Sequence, residues 1–105
     1  MEPIAEAAFD VAGSDKKMRA RLFAPERHGE DWACTLEIDA PIALRRTIYG
    51  VSSLQALVLG LKTLAAYLYG SDLYRNGRLG LYGDFGGHLS IPAPSEFLNE
   101  APFPF

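Results

Sequence analysis

Two histidines, one cysteine and a few carboxylates are the residues of this chain that could carry acid–base, nucleophilic or metal chemistry. His28 stands in "PERHGED" beside Glu30 and Asp31, Cys34 follows in "WACTLEI", and Asp84 and His88 stand in "YGDFGGHLS". A metal centre or a Cys-His pair needs its members at set spacings, such as C-x-x-C or H-x-x-x-H, and the chain has neither. Cys34 alternates in phase with Trp32, Leu36 and Ile38, which makes it a buried apolar side chain rather than a nucleophile. A single cysteine also excludes an intrachain disulfide. No catalytic residue, cofactor or metal ligand is assigned from the sequence.

One loop does invite a ligand reading. In "YGDFGGH" the glycines would let backbone amides converge on an anion, with Asp84, Gly86, Gly87 and His88 around it and Arg46 as a cation from elsewhere. The competing reading is a glycine-rich turn between strands, because the spacing is not G-x-G-x-x-G and no helix start follows.

The more informative stretch is "YGVSSLQALVLGLKTLAAYLYG", from Tyr49 to Gly70. Ser52 is a natural N-cap and Gln55, three residues on, completes a capping-box pattern. Leu54, Leu57, Val58, Leu61, Leu64, Ala65 and Leu68 recur at helical spacing and form the expected core stripe, and Gly70 ends the helix. The other side, with Gln55, Leu59, Lys62, Thr63 and Ala66, carries one charge and is too apolar to be fully wetted. Together with Tyr69, Phe103 and Phe105 it forms a candidate interface, since aromatic residues favour surfaces that are dry at one end and wet at the other. A second chain is the expected cover, and the proline-rich tail is the alternative.

The elements that must position these residues read as follows. "IAEAAFDVAGSDKKMRARLFAP" is a hairpin whose turn centres on Ser14 and Asp15, which sets Val11 opposite Met18, Phe9 opposite Ala20 and Asp10 opposite Arg19. "APERHGED" reads as a polar loop. "WACTLEIDA" and "IALRRTIYG" form a second pair, with Ile38 opposite Leu44 and Glu37 opposite Arg45. That register turns Arg46 toward the core side, which a bulge or a side chain snorkelling at a sheet edge would relieve. After the helix, Asn76-Gly77 reads as a hairpin turn preceding a strand near Arg78 to Tyr82. The expected architecture is α+β: a mostly antiparallel sheet of five to six strands in the order β-β-β-β-α-β, with one long helix on one face. Residues 1–92 form the domain and 93–105 a tail rich in proline and phenylalanine.

Composition bounds the function. The chain has 105 residues, 49% hydrophobic and 22% charged, which is one globular domain with a modest core. A net charge of −3 argues against nucleic acid. The N-terminus lacks the basic and apolar regions of a secretory signal, and the apolar helix is capped and interrupted by Gln55 and Lys62, so the cytoplasm is expected and no membrane association.

The run "YGVSSLQALVLGLK", with looser matches in "NGRLGLYGD" and "SIPAPSEFL", resembles a family of small uncharacterised bacterial proteins, a domain of unknown function. Gly50, Val51, Ser53, Leu54, Gln55, Ala56, Leu57, Leu59, Leu61 and Lys62 fit its G-V-[DS]-S-[LF]-Q-A-L-x-L-A-L-K pattern. Gly60 departs from it where alanine is usual, and Ser90 where glycine is usual. The resemblance implies a bacterial origin and the same architecture, and no activity. Three readings follow. The first is a non-enzymatic protein-binding module, either a homodimer or bound to another bacterial protein, one version being an immunity protein that neutralises a toxin. The second is a small-molecule or anion-binding domain, or a small enzyme, using the loop from Gly83 to His88. The third is a structural piece of a larger assembly.

Overall fold

A computed structural model describes residues 2–91. Its elements are β1 (Pro3–Val11), β2 (Met18–Phe23), β3 (Glu26–His28), β4 (Asp31–Ile38), β5 (Leu44–Gly50), α1 (Ser53–Tyr69), α2 (Asp72–Arg75), β6 (Leu79–Leu81) and β7 (Asp84–Phe85). The strands form one antiparallel sheet in the order β5-β4-β2-β1-β6-β7, and β3 continues the line of β2 along β4. One long helix packs on one face. This is the α+β architecture that the alternating patterns predict.

α1 forms where its caps lie. The Ser52 hydroxyl accepts from the Gln55 amide at 3.0 Å, and the Gln55 side chain accepts from the Val51 amide at 2.6 Å. Gly50 is required just before it, because a Cβ there would lie 2.6 Å from the Ala56 nitrogen as the chain turns from β5 into the helix. The seat of the helix differs from the predicted leucine stripe. Ala56 and Gly60 face the sheet, and a Cβ on Gly60 would come within 2.8 Å of the Cys34 Sγ and 3.3 Å of Leu22. Leu64 and Leu68 are buried, Leu57 and Leu61 are half-buried on the flank, and Leu54 is exposed. The cause is packing density: the helix closes most tightly where its side chains are smallest, and that point decides which way the larger ones point. Cys34, Leu36, Ile38, Phe9, Met18 and Leu22 supply the sheet side of the core.

The first hairpin is correct in its faces and wrong in its register. Phe9 pairs with Met18, Ala7 with Ala20 and Ala8 with Arg19, two residues away from the expected pairing. A two-residue slip keeps every side chain on its own face, so hydrophobic alternation cannot detect it. On its other edge β1 pairs with β6, Val11 opposite Leu79 and Asp10 opposite Gly80. The β4–β5 pair is as expected, with Ile38 opposite Leu44 and Glu37 opposite Arg45. Two further expectations change. Part of "APERHGED" is strand β3, a ribbon exposed on both sides whose charges hide its β character. "SDLYR" is the short helix α2, capped by the Ser71 hydroxyl, and Asn76-Gly77 ends that helix instead of turning a hairpin. The true hairpin turn comes later, at Tyr82-Gly83, both at positive φ.

The outer face of the sheet is polar, as predicted. Glu6 accepts from Arg19 at 2.6 Å and Arg21 at 3.2 Å, Arg21 reaches Asp39 at 2.7 Å, and Lys17 pairs with Asp10 and Arg45 with Glu37. Exposed pairs of this kind contribute little each. The Lys17 ammonium, then the Gly83 amide, hold the Asp10 carboxyl below its ordinary range, and Arg21 does the same to Asp39.

Two outcomes follow. Gly60→Ala gains about 1 kcal/mol of helix propensity but overpacks against Cys34, which costs about 1–3 kcal/mol, so it should be net destabilising. In a Cys34→Ala background the same change should be neutral or stabilising, and a double-mutant cycle by denaturant unfolding measures the difference. Separately, Asp10 and Asp39 titrate lower in the folded chain than in the unfolded one, so their contribution is present above the unfolded value of about 3.9 and is lost as pH falls through the folded value. Asp10→Asn and Asp39→Asn should each flatten the fall in Tm below about pH 4. An unchanged acid limb in both variants would contradict this assignment.

Candidate functional site

The residues that could do chemistry are dispersed. His28 and Asp31 flank the two-residue β3–β4 turn formed by Gly29 and Glu30, and the His28 ring lies 5.3 Å from that of Tyr49. Cys34 is fully buried beneath α1, its thiol donates to the Phe23 carbonyl at 3.3 Å, and burial pushes its pKa up. That is the opposite of what a nucleophilic thiolate needs. Asp84 and His88 belong to the far side of the sheet, beyond β6. Among the described residues no three His, Cys, Asp or Glu side chains gather closely enough to hold a metal ion. Among them too, no helix is long and apolar enough to cross a membrane.

The glycine-rich loop is tied down by tyrosines. The Tyr74 hydroxyl bonds the carbonyls of Gly86 and Gly87 at 3.1 and 3.0 Å, and Tyr69 stacks edge-on against Tyr74 at 5.0 Å. The Gly86 amide donates to Leu79, the Leu89 amide to the Tyr69 hydroxyl and the Ser90 amide to His88 Nδ1. These donors already have partners within the chain. A Cβ at Gly87 would sit 2.6 Å from an Asp84 carboxylate oxygen, the movable end of an exposed side chain. Arg46 is not brought to this loop. It stands on β5, at the opposite edge of the sheet, on the same side as Leu36, and its guanidinium lies over the Tyr67 ring at 5.8 Å. The clash seen in the sequence is thus relieved by snorkelling at an edge strand.

The predicted interface residues divide into two groups. Thr63 bonds back to the Leu59 carbonyl at 2.7 Å, Lys62 is half-buried and Ala66 exposed. Tyr69 is half-buried, with its hydroxyl bonded to Ile91 and Leu89. Gln55 and Leu59 instead line a shallow depression with Asp31, Tyr49, Gly50 and Val51. Phe103 and Phe105 lie outside the described residues.

That depression borders a surface the sequence reading passed over. Tyr49, Val51 and Leu54 are 51%, 76% and 69% exposed and follow one another where β5 leads into α1. β5 is the outermost of the longer strands, and among the described residues it pairs with β4 alone, so the other edge of its seven residues is unpaired. The signal was present as three large apolar residues at a strand-to-helix junction. It was hidden because Leu54 fits the helical stripe and Val51 reads as a residue before the cap. Tyr82 is 98% exposed at the tip of the β6–β7 turn, with φ at +52°. Two open depressions of mixed lining lie elsewhere on the surface, one beside Val11, Lys16, Lys17 and Arg78, and one of about 400 Å³ beside Ile42, Tyr67, Ser71 and Asp72.

Residues 5–93 match the model of a family described as a domain of unknown function, DUF6968, and the chain belongs to that family. No curated protein and no solved structure shows a significant match to it.

The buried, neutral thiol has a direct consequence. The folded chain should resist a thiol reagent such as dithionitrobenzoate, reacting at the rate of global or local opening and not that of a free cysteine. Rapid stoichiometric reaction in buffer, before any loss of structure, would contradict the packing of α1 on β4.

Proposed function

We propose that this member of the DUF6968 family is a non-enzymatic protein-binding module, and that it takes an extended partner segment along the free edge of β5. The observation that carries this reading is the continuity of an unpaired strand edge with the exposed side chains of Tyr49, Val51 and Leu54. An open edge offers a row of amides and carbonyls to an added strand, and an adjoining apolar cluster anchors it.

The partner that best suits the edge is a second copy of the chain. If two β5 strands run antiparallel about Thr47, each Arg45 faces the Tyr49 of the other copy and each Arg46 faces Ile48. No two arginines then stand directly opposite, and Arg45 is already paired with Glu37. The exposed apolar residues of both copies lie at the two ends of the new pair. A homodimer of this kind uses the first turn of α1 and β5, in place of the outer side of the helix expected from the sequence.

Sedimentation velocity tests it. The natural chain should associate as concentration rises, and Val51→Asp with Leu54→Asp should weaken association at least tenfold, about 1.4 kcal/mol, with unchanged Tm because both side chains are exposed. A chain that stays monomeric at millimolar concentration, with β5 amide shifts independent of concentration, overturns the homodimer.

A further inference from the structure

Three segments meet at one end of the sheet: the β1–β2 turn, the β4–β5 turn and the residues that lead into β6. The Ala12 amide donates to the Arg78 carbonyl at 2.9 Å, the Arg78 guanidinium donates to the Ala12 carbonyl at 3.3 Å, and the Asp39 amide donates to the Arg19 carbonyl at 2.9 Å. Between them lies a depression of about 620 Å³, within the size range of small-molecule sites. Val11, Ala40 and Pro41 supply its apolar lining. In a chain of net charge −3, three cations line it, Lys16, Lys17 and Arg78, against one carboxylate, Asp39. That carboxylate is already engaged, since both of its oxygens accept from Arg21, at 2.7 and 3.3 Å. Lys17 is held by Asp10, which stands outside the lining. Lys16 and Arg78 differ from it. Among the described residues neither has a carboxylate within 4 Å, and Arg78 uses one of its five N–H donors on Ala12. The Ser14 hydroxyl beside them makes only a long bond, 3.4 Å, to the Lys16 carbonyl.

We propose that this depression binds a small phosphate monoester, with the phosphate between Lys16, Arg78 and Ser14 and the organic group against Val11 and Pro41. A phosphate presents three acceptor oxygens. The planar guanidinium can bond two of them in parallel, and an ammonium and a hydroxyl suit the third. The apolar lining gives the organic group a surface to leave water for. The ligand is small because the free cations do not continue along the sheet: Arg19 and Arg21 are already paired with Glu6 and Asp39. A nucleic-acid backbone would find no second row of free cations there. The site shares no residue with β5 or α1, so it stands or falls independently of pairing at β5.

The test is a titration of the full, isotope-labelled chain with inorganic phosphate and with phenyl phosphate, in about 0.15 M salt to screen unspecific attraction between exposed charges. Amides of Ser14, Lys16, Lys17, Ala40 and Arg78 should shift and saturate, and burial of the ring should make phenyl phosphate bind at least about threefold more tightly than phosphate. Lys16→Gln with Arg78→Gln should weaken phenyl phosphate at least about tenfold, as loss of charge-assisted bonds requires. Because Arg78 also braces Ala12, Lys16→Gln alone is the second variant: it should weaken binding about threefold with unchanged Tm, its side chain being exposed. Arg27→Gln with Arg45→Gln removes the same charge elsewhere and should leave binding as it was. Shifts that rise linearly without saturating, phenyl phosphate no tighter than phosphate, unchanged binding in Lys16→Gln, or equal weakening by the control pair would each overturn the proposal.

Discussion

α1 closes on β4 at Gly60, where no Cβ fits, and the seating of the helix on the sheet depends on that contact. With no Cβ at Gly60, the helix backbone settles against the Cys34 sulfur and Leu22. That seat fixes the rotation of the helix: Leu64 and Leu68 are driven inward, Leu61 goes to the flank over β2 and β1, and Leu57 is half-buried. A domain of this size has few large side chains with which to build a core, so close packing at small residues contributes as much to its stability as the leucines do. It also explains the inert cysteine, since a thiol roofed by a helix backbone is denied both solvent and a base.

The flank of α1 toward β1 carries Leu61, Leu64 and Leu68, which border an apolar depression with Ala5, Ala7, Ala20 and Ile91. The junction of β5 and α1, by contrast, carries the exposed Val51 and Leu54. Gly50, Ser52, Gln55 and Ala56 are consequently residues of one local device, a tight exit from an edge strand into a capped helix. Their pattern is the most recognisable part of the chain and has a structural cause, while the exposed Val51 and Leu54 lie between them.

The tyrosines illustrate how one residue type takes different roles. Tyr69 and Tyr74 are fasteners, each using its hydroxyl to hold backbone of the glycine-rich segment that follows β7. Tyr67 is a platform for Arg46 at the sheet edge. Tyr82 has left-handed backbone and projects into solvent, so its side chain does not hold the fold.

Local periodicity was sufficient for much of this. The sequence by itself determined the α+β class, the inward faces of β1, β2 and β4, the β4–β5 register, the cap at Ser52 and Gln55, and the polar outer face, because each follows from contacts between residues near in sequence or from a period of two or 3.6. Only the tertiary structure decided the hairpin register, since a slip of two residues conserves every face. It likewise decided that Asn76-Gly77 closes a helix, because that dipeptide supplies the same positive φ to either use. The rotation of α1 was hidden for a related reason. Hydrophobicity ranks leucine above glycine at a core position, whereas the position of closest approach goes to the residue that occupies least space. The separation of Arg46 from the loop at Asp84 and His88 is a matter of strand order, which no spacing along the chain records.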